Sequence, residues 1–326
     1  MNNMSIISFL KDEYNLSVNQ IVEIQSGMVG DSFLVESSQG KYFLKIYGNS
    51  RLANIAKENI EFYVNALDVL KTKKLKIPEI IPNNQGNLFC EFEKNPLLIF
   101  QFIQKDQQIY SDKKIEQKIA KTLANIHKET LGLKFKINRF EDFNQYFKND
   151  LIAGLQTLQK IDNQKDFKYK LKEVIKPFEE KILNSLDKLK KLGEQCQNID
   201  QNFALCNTDP VGDNLIISNN ECYLVDWDGA KLAPIEHDVW FYLDDKDFFQ
   251  EYSQNISNIN IYKENIKYYA YFRNLEDLTD WIIRILHENQ TDEENHKDLE
   301  DLQTDCLMQL DNIDHDTDNR FKNTER

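Results

Sequence analysis

The chain has 326 residues, 41% of them hydrophobic, which is enough for two lobes with separate cores and too little for three ordinary domains. Its formal net charge of -14 argues against a nucleic-acid partner, because such binding draws most of its affinity from Lys and Arg at phosphates; a cationic small molecule suits the balance, and plain solubility explains it equally well. The cysteines (Cys90, Cys196, Cys206, Cys222, Cys306) are scattered singly with no C-x-x-C pair, so a zinc site is not expected and a reducing, cytoplasmic setting is.

Residues 5–14 have helical spacing (Ile6, Ile7, Phe9, Leu10), and Lys11, Asp12 and Glu13 break any signal-like apolar run, so neither a leader nor a membrane partner is expected. Strand-like runs follow at 19–25, 32–37 and 42–47, punctuated by Gly27, Gly30 and Gly40, which predicts an antiparallel meander. Residues 51–70 read as a helix with Ile55, Asn59, Phe62, Ala66 and Val69 on one face, and Pro78 and Pro82 mark its exit. Two more strands, 88–93 and 97–103, flank the turn-prone Glu93-Lys94-Asn95-Pro96, completing a small α+β lobe over residues 1–104. From 105 to 326 the period is mainly helical (114–129, 141–160, 167–191, 264–288), which predicts a second, largely α lobe; in 203–227 short strands bracket a polar loop. Residues 289–326 are rich in Asp, Glu and Asn, with one amphipathic helix near 299–310 and a frayed end.

The densest signal is Cys206-Asn207-Thr208-Asp209-Pro210-Val211-Gly212-Asp213-Asn214, then an apolar strand, then Tyr223-Leu224-Val225-Asp226-Trp227-Asp228. Phosphoryl transfer needs a carboxylate to orient the attacking hydroxyl and oxygen ligands for a metal on the triphosphate, and D-x-x-x-x-N followed by a second Asp offers both. Asp, Asn, Pro and Gly are also ordinary turn residues; what tips the balance is Asp226, a carboxylate at the end of an apolar strand, where it is costly without a partner.

This stretch resembles the aminoglycoside phosphotransferase and choline kinase family, whose loop reads H-x-D-x-x-x-x-N and whose metal segment reads I-D-W-D or similar. The later Ala233-Pro234-Ile235-Glu236-His237-Asp238 resembles a further family segment, and the nearest feel is of the spectinomycin phosphotransferase type. The resemblance covers roughly residues 20–245 and implies a bilobal, protein-kinase-like α+β fold, with residues 1–104 as the nucleotide-binding lobe and 105–326 as the helical lobe with the catalytic loop and substrate site. It makes Asp209 the catalytic base, Asn214 and Asp226 the metal ligands, Asp238 a brace for the loop, and Asp228 a residue that touches metal or substrate or else a helix cap. One departure is Asn207, standing where the family has His; it leaves a silent, kinase-fold binding protein as an alternative.

On the nucleotide side the resemblance assigns Ser26, Gly27, Gly30 and Ser32 to a loop over the phosphates, although an ordinary hairpin turn reads the same way and no Walker A motif occurs. Lys45 becomes the phosphate lysine, with Glu61 as its helix partner and Glu58 as the alternative, while Gln101 (carbonyl) and Ile103 (amide) meet the purine edge. His127, Trp281 and the Tyr268/Tyr271 pair read as packing or capping, and Asp244, Asp245 and Asp247 as a solvated face, with the lining of an amine pocket as the alternative. The implied activity is a kinase using Mg²⁺ and ATP or GTP on a hydroxyl of an aminoglycoside or related cationic compound, acting as a monomer or weak dimer. A choline-, ethanolamine- or homoserine-type metabolite kinase shares every motif.

Overall fold

The computed structural model describes residues 3–24, 29–107, 112–257 and 259–324. Helix α1 (Asn3–Tyr14) turns Ile6, Leu10 and Tyr14 onto a five-stranded antiparallel sheet, β1 (Val18–Ile24), β2 (Gly30–Ser37), β3 (Gly40–Tyr47), β4 (Cys90–Phe92) and β5 (Asn95–Gln101), in the order β1-β2-β3-β5-β4. Alternation along each strand sends Phe33, Val35, Leu44, Ile46, Leu97 and Ile99 into the core under α1; Phe43, Lys45 and Tyr47 therefore point to the other face. Glu93 and Lys94 both take the left-handed conformation (φ 51° and 71°), closing β4 onto β5, and Pro96 is tolerated because the ladder to β3 begins only at Leu97. Helix α2 (Arg51–Lys71) starts at Ser50, whose hydroxyl accepts from the Ala53 amide at 3.1 Å. It buries Asn59, Phe62, Tyr63, Ala66, Leu67 and Leu70, whereas Val69, expected on that face, is exposed.

After α2 the chain runs through α3 (Asp112–Thr130), α4 (Lys148–Gln159), α5 (Phe167–Ile175), α6 (Glu179–Gln197), β6 (Ala204–Cys206), β7 (Leu215–Ser218), β8 (Glu221–Leu224), β9 (Lys231–Ala233), α7 (Glu236–Val239), α8 (Lys246–Asn255), α9 (Lys263–Ile283), α10 (Asp292–Asp301) and α11 (Ile313–Thr324). One compact unit comprises residues 1–140, 202–238 and 247–258, and the other residues 141–201, 239–246 and 259–326. Within the first, β6 pairs with β9 and β7 with β8, and the Asp106 carboxylate holds the β7–β8 turn by accepting from the Asn219 and Asn220 amides at 2.9 and 3.0 Å. The Asp106 amide in turn donates to the Ile217 carbonyl at 2.8 Å.

Three helical expectations change. Residues 141–147 are not helix, because Glu141 accepts from the Phe143 amide and Asp142 from the Asn144 amide, local turns that compete with the helical ladder, and Phe143 sits at φ 58°. The 167–191 run is split by Pro177, which cannot donate, into α5, a short 3₁₀ turn (Lys176–Phe178) and α6. The acidic end is helical to Thr324 rather than frayed: Lys263 and Lys267 of α9 pair with Asp318 of α11, and Arg320 donates to the Trp240 carbonyl at 3.0 Å. No helix among the described residues is long and apolar enough to cross a membrane.

Candidate active site

Strand β6 ends where the polar loop begins, and the loop is held by a carboxylate from below. Asp238, fully buried, accepts the Asn207 amide at 2.9 Å and the Thr208 amide at 2.7 Å. His127 of α3 places Nε2 3.1 Å from the same carboxylate and Nδ1 2.7 Å from the Tyr252 hydroxyl. A carboxylate only accepts, so the imidazole donates to it through Nε2. Burial of Asp238 would be costly if it were unpaired; these three donors satisfy it and, in doing so, fix the loop. Cys206 lies with His127 and Asp238 in a group whose ligand atoms are within 4.8 Å of one another, but its thiol is turned on the Ala233 and Pro234 carbonyls and the Asp238 oxygens are occupied by the loop. The trio is therefore a brace.

Thr208 lies at φ 82° and Asp226 at φ 52°, sparsely populated conformations for residues with side chains. Room for the first comes from Gly229, where a Cβ would fall 2.4 Å from the Thr208 hydroxyl oxygen. Asn207, the departure noted in the sequence, ties the two segments together. Its Nδ2 donates to the Val225 and Asp226 carbonyls at 3.2 and 2.8 Å, and its Oδ1 accepts from the Asp209 amide at 3.2 Å. Asn214 then spends its amide nitrogen on Asp209, donating to the backbone carbonyl and to Oδ2, both at 2.9 Å. The Asn214 backbone carbonyl accepts from the Val225 amide at 2.9 Å, so the loop and the strand leading to Asp226 are locked at both ends.

Facing these groups is Lys45 on β3, opposite Ser32 in the register with β2. Lys45 Nζ sits 3.1 Å from Asp226 Oδ1 and 2.5 Å from Asp228 Oδ2. Burial works to lower the lysine pKa, but the charges of Asp226 and Asp228 overcome it, so the group is held above its ordinary range and stays charged. Asp228 is pushed up by burial, against the pull of Lys45. Its other oxygen, Oδ1, accepts from the Tyr47 hydroxyl at 2.5 Å, and Tyr47 Oη lies 2.5 Å from Tyr63 Oη on α2. Asn59, one turn before Tyr63, donates to the carbonyls of Asp228 and Ala230 at 2.7 and 2.9 Å.

The expected Glu61 partner is not met: Glu61 and its alternative Glu58 are both exposed. Helix phase is the reason, since Asn59 and Tyr63, four residues apart, face inward and carry residues 58 and 61 away. Gly30 packs against β3 so closely that a Cβ would meet the Ile46 carbonyl at 2.1 Å, while Ser26 and Gly27 lie outside the described residues. Gln101, Phe102 and Ile103 line the cavity, and the Gln101 amide donates to the Glu79 carbonyl at 2.8 Å. Asn59, Tyr47 and Tyr63 were not foreseen as site residues; the one sequence signal was Asn59, an amide within an apolar helix face.

Lys45, Gln101, Asp213, Asn214, Asp226 and Asp228 are polar residues lining a cavity of ≈ 390 Å³ whose apolar walls include Phe43, Pro78, Phe100, Ile216 and Trp227. Ligand pockets run from about 300 to 1,000 Å³. The Asn214 amide oxygen and the half-exposed Asp226 carboxylate are hard oxygen donors on one wall, which fits a Mg²⁺-type cation.

The model of the phosphotransferase enzyme family matches residues 20–261. The uncharacterized protein in the ileS 3' region of Staphylococcus aureus is 30% identical over 117 residues, which is 36% of this chain and 79% of that one. Spectinomycin phosphotransferase APH(9)-Ia, solved with ADP and spectinomycin, superposes with a TM-score of 0.75 at 19% identity over 98% of this chain and 99% of that one. Choline kinase from Cryptosporidium parvum Iowa II superposes with a TM-score of 0.56 at 15% identity over 97% and 98%. The two structural likenesses are likenesses of fold, and they match the α+β arrangement of an antiparallel sheet followed by helices.

Proposed function

The chain belongs to the phosphotransferase enzyme family, and on that premise we propose that it is a small-molecule kinase that transfers the γ-phosphate of ATP or GTP to a hydroxyl of an aminoglycoside or related cationic compound. The observation that carries this reading is the convergence of Lys45, Asn214 and Asp226 on one cavity, beside an Asp209 whose loop is fixed by a buried brace.

Asp209 orients the acceptor hydroxyl and takes its proton as the acceptor oxygen bonds to the γ-phosphorus and the bond to the β-γ bridging oxygen breaks, leaving ADP or GDP. Asn214 holds Asp209 Oδ2 through its amide nitrogen, which fixes the direction of the carboxylate toward the acceptor. Lys45 bears on the phosphates, with Gly30 and Ser32 on the neighbouring strand beside it, and Gln101 and Ile103 meet the purine edge. Asn214 and Asp226 would hold Mg²⁺, which when bound neutralises charge on the triphosphate. In this reading residues 1–104 form the nucleotide-binding lobe and residues 105–326 carry the catalytic loop and the acceptor site. Positioning and fixed charge supply most of the rate.

The test is Mg²⁺ with ATP and with GTP against aminoglycosides, spectinomycin, choline, ethanolamine and homoserine, with Asp209→Ala as the control. Acceptor-dependent nucleotide consumption that vanishes in Asp209→Ala supports the kinase and names its substrate class; turnover only with choline or ethanolamine replaces the aminoglycoside reading. No nucleotide binding at all favours a silent binding protein.

A further inference from the structure

We propose that Asp228 and the Tyr47–Tyr63 hydroxyl pair are the positioning residues of Lys45, filling the role that a glutamate of helix α2 would otherwise hold; the inference rests on the reading of the cavity as a nucleotide site. Lysine is a point charge on a flexible four-carbon stem, so it serves a phosphate only if something fixes its direction. Among the described residues the carboxylates at Lys45 are Asp226 and Asp228, and the two differ in what else they do. Asp226 has a side chain 44% exposed and stands on the cavity wall beside Asn214. Asp228 has a side chain 13% exposed, and both of its oxygens are spent on protein, Oδ2 on Lys45 and Oδ1 on Tyr47. One carboxylate thus remains for a cation and the other is committed to the lysine.

Helix α2 still reaches the lysine, by another route. Its Tyr63 hydroxyl fixes the Tyr47 hydroxyl, which fixes Asp228, while Asn59 clasps the Asp228 and Ala230 carbonyls. Tyr47 and Tyr63 are almost fully buried, so no bulk water competes for these bonds and the chain of hydroxyls transmits position rather than slack. Lys45 Nζ also lies 5.3 Å from the Tyr47 ring centre, so the same side chain steadies the ammonium from its face.

The test is a set of double-mutant cycles read by calorimetric titration of ADP in the presence of Mg²⁺. Asp228→Asn, Tyr47→Phe and Tyr63→Phe are each measured with Lys45 present and in Lys45→Met; the two Tyr→Phe variants delete a single oxygen and keep the fold. With Lys45 present, Asp228→Asn is expected to weaken ADP binding about tenfold and Tyr47→Phe about threefold, as loss of hydrogen bonds around a charged group implies. In Lys45→Met those losses disappear, because the groups act through the lysine. Equal losses in both backgrounds, or a higher Mg²⁺ requirement for Asp228→Asn in both, overturn the inference and make Asp228 a metal ligand or a scaffold residue. If Lys45→Met itself leaves ADP binding unchanged, the nucleotide reading of the cavity falls, and this inference with it.

Discussion

Replacing Asn207 with alanine removes three hydrogen bonds at one buried point. Two are donated to the Val225 and Asp226 carbonyls and one is accepted from the Asp209 amide. Asn207 is 1% exposed, so water does not readily replace them. At roughly 1 kcal/mol net for each bond, the loss is about 3 kcal/mol, and stranded carbonyls push it upward. For a chain of this size that lowers the melting temperature by roughly 5 °C. The Asp209 amide and the backbone before Asp226 lose their common anchor, so turnover should fall about tenfold or more, while ADP affinity, which the proposed function assigns to Lys45 across the cavity, changes less. Urea and thermal denaturation followed by circular dichroism give the stability, and initial rates on the acceptor found by the panel give the turnover. A variant that melts within about 1 °C of wild type, with unchanged turnover, would falsify the view that Asn207 couples the loop to the segment ending at Asp226.

Asp238→Asn keeps shape but turns one acceptor oxygen into a donor facing the Asn207 or Thr208 amide; a loss of about 2–4 kcal/mol in urea denaturation is expected, and near-neutrality counts against the brace. Gly229→Ala drives a Cβ onto the Thr208 hydroxyl, so activity drops and the Thr208→Ala/Gly229→Ala double variant recovers much of it; no recovery means that the clash lies elsewhere. Glu61→Gln should leave nucleotide affinity and turnover within about twofold of wild type, since an exposed side chain away from Lys45 has little to give. A large loss there restores the helix glutamate as the lysine's partner.

The loop from Asn207 to Asp226 was legible because its polar residues lie close together in sequence between short apolar strands, so local chemistry alone singles out Asp209, Asn214 and Asp226, which the structure gathers into one region. Lys45 stood out as a cation in an apolar strand, but only the family resemblance gave it a role, since an edge-strand lysine reads the same way. Its partner was not legible. An amphipathic stripe tells that α2 buries a face, but which flank of that face meets the cavity is decided by packing, and a shift of two residues exchanges Glu61 for Tyr63. Tyr47 carried no sign of its role, since a tyrosine ending a buried strand reads as core. The length of α11 was hidden because Asp318 and Arg320 find their partners, Lys263, Lys267 and Trp240, more than fifty residues away. Helix 141–160 failed at its start for the opposite reason: Glu141 and Asp142 satisfy the backbone locally, and periodicity does not see such turns.

A hairpin tip with two asparagines in the left-handed conformation, such as Asn219-Asn220, is ordinarily where a peptide tag or a fluorescent domain is spliced in at little cost. Here both tip amides are captured by Asp106, on the segment that follows the cavity-lining residues 101–103, and β7 contributes Ile216 to the cavity wall. A graft at this tip would therefore disturb the cavity from outside. The Gly86 turn between α2 and β4, where nothing lies within 4 Å of an added Cβ, is the better place for a reporter.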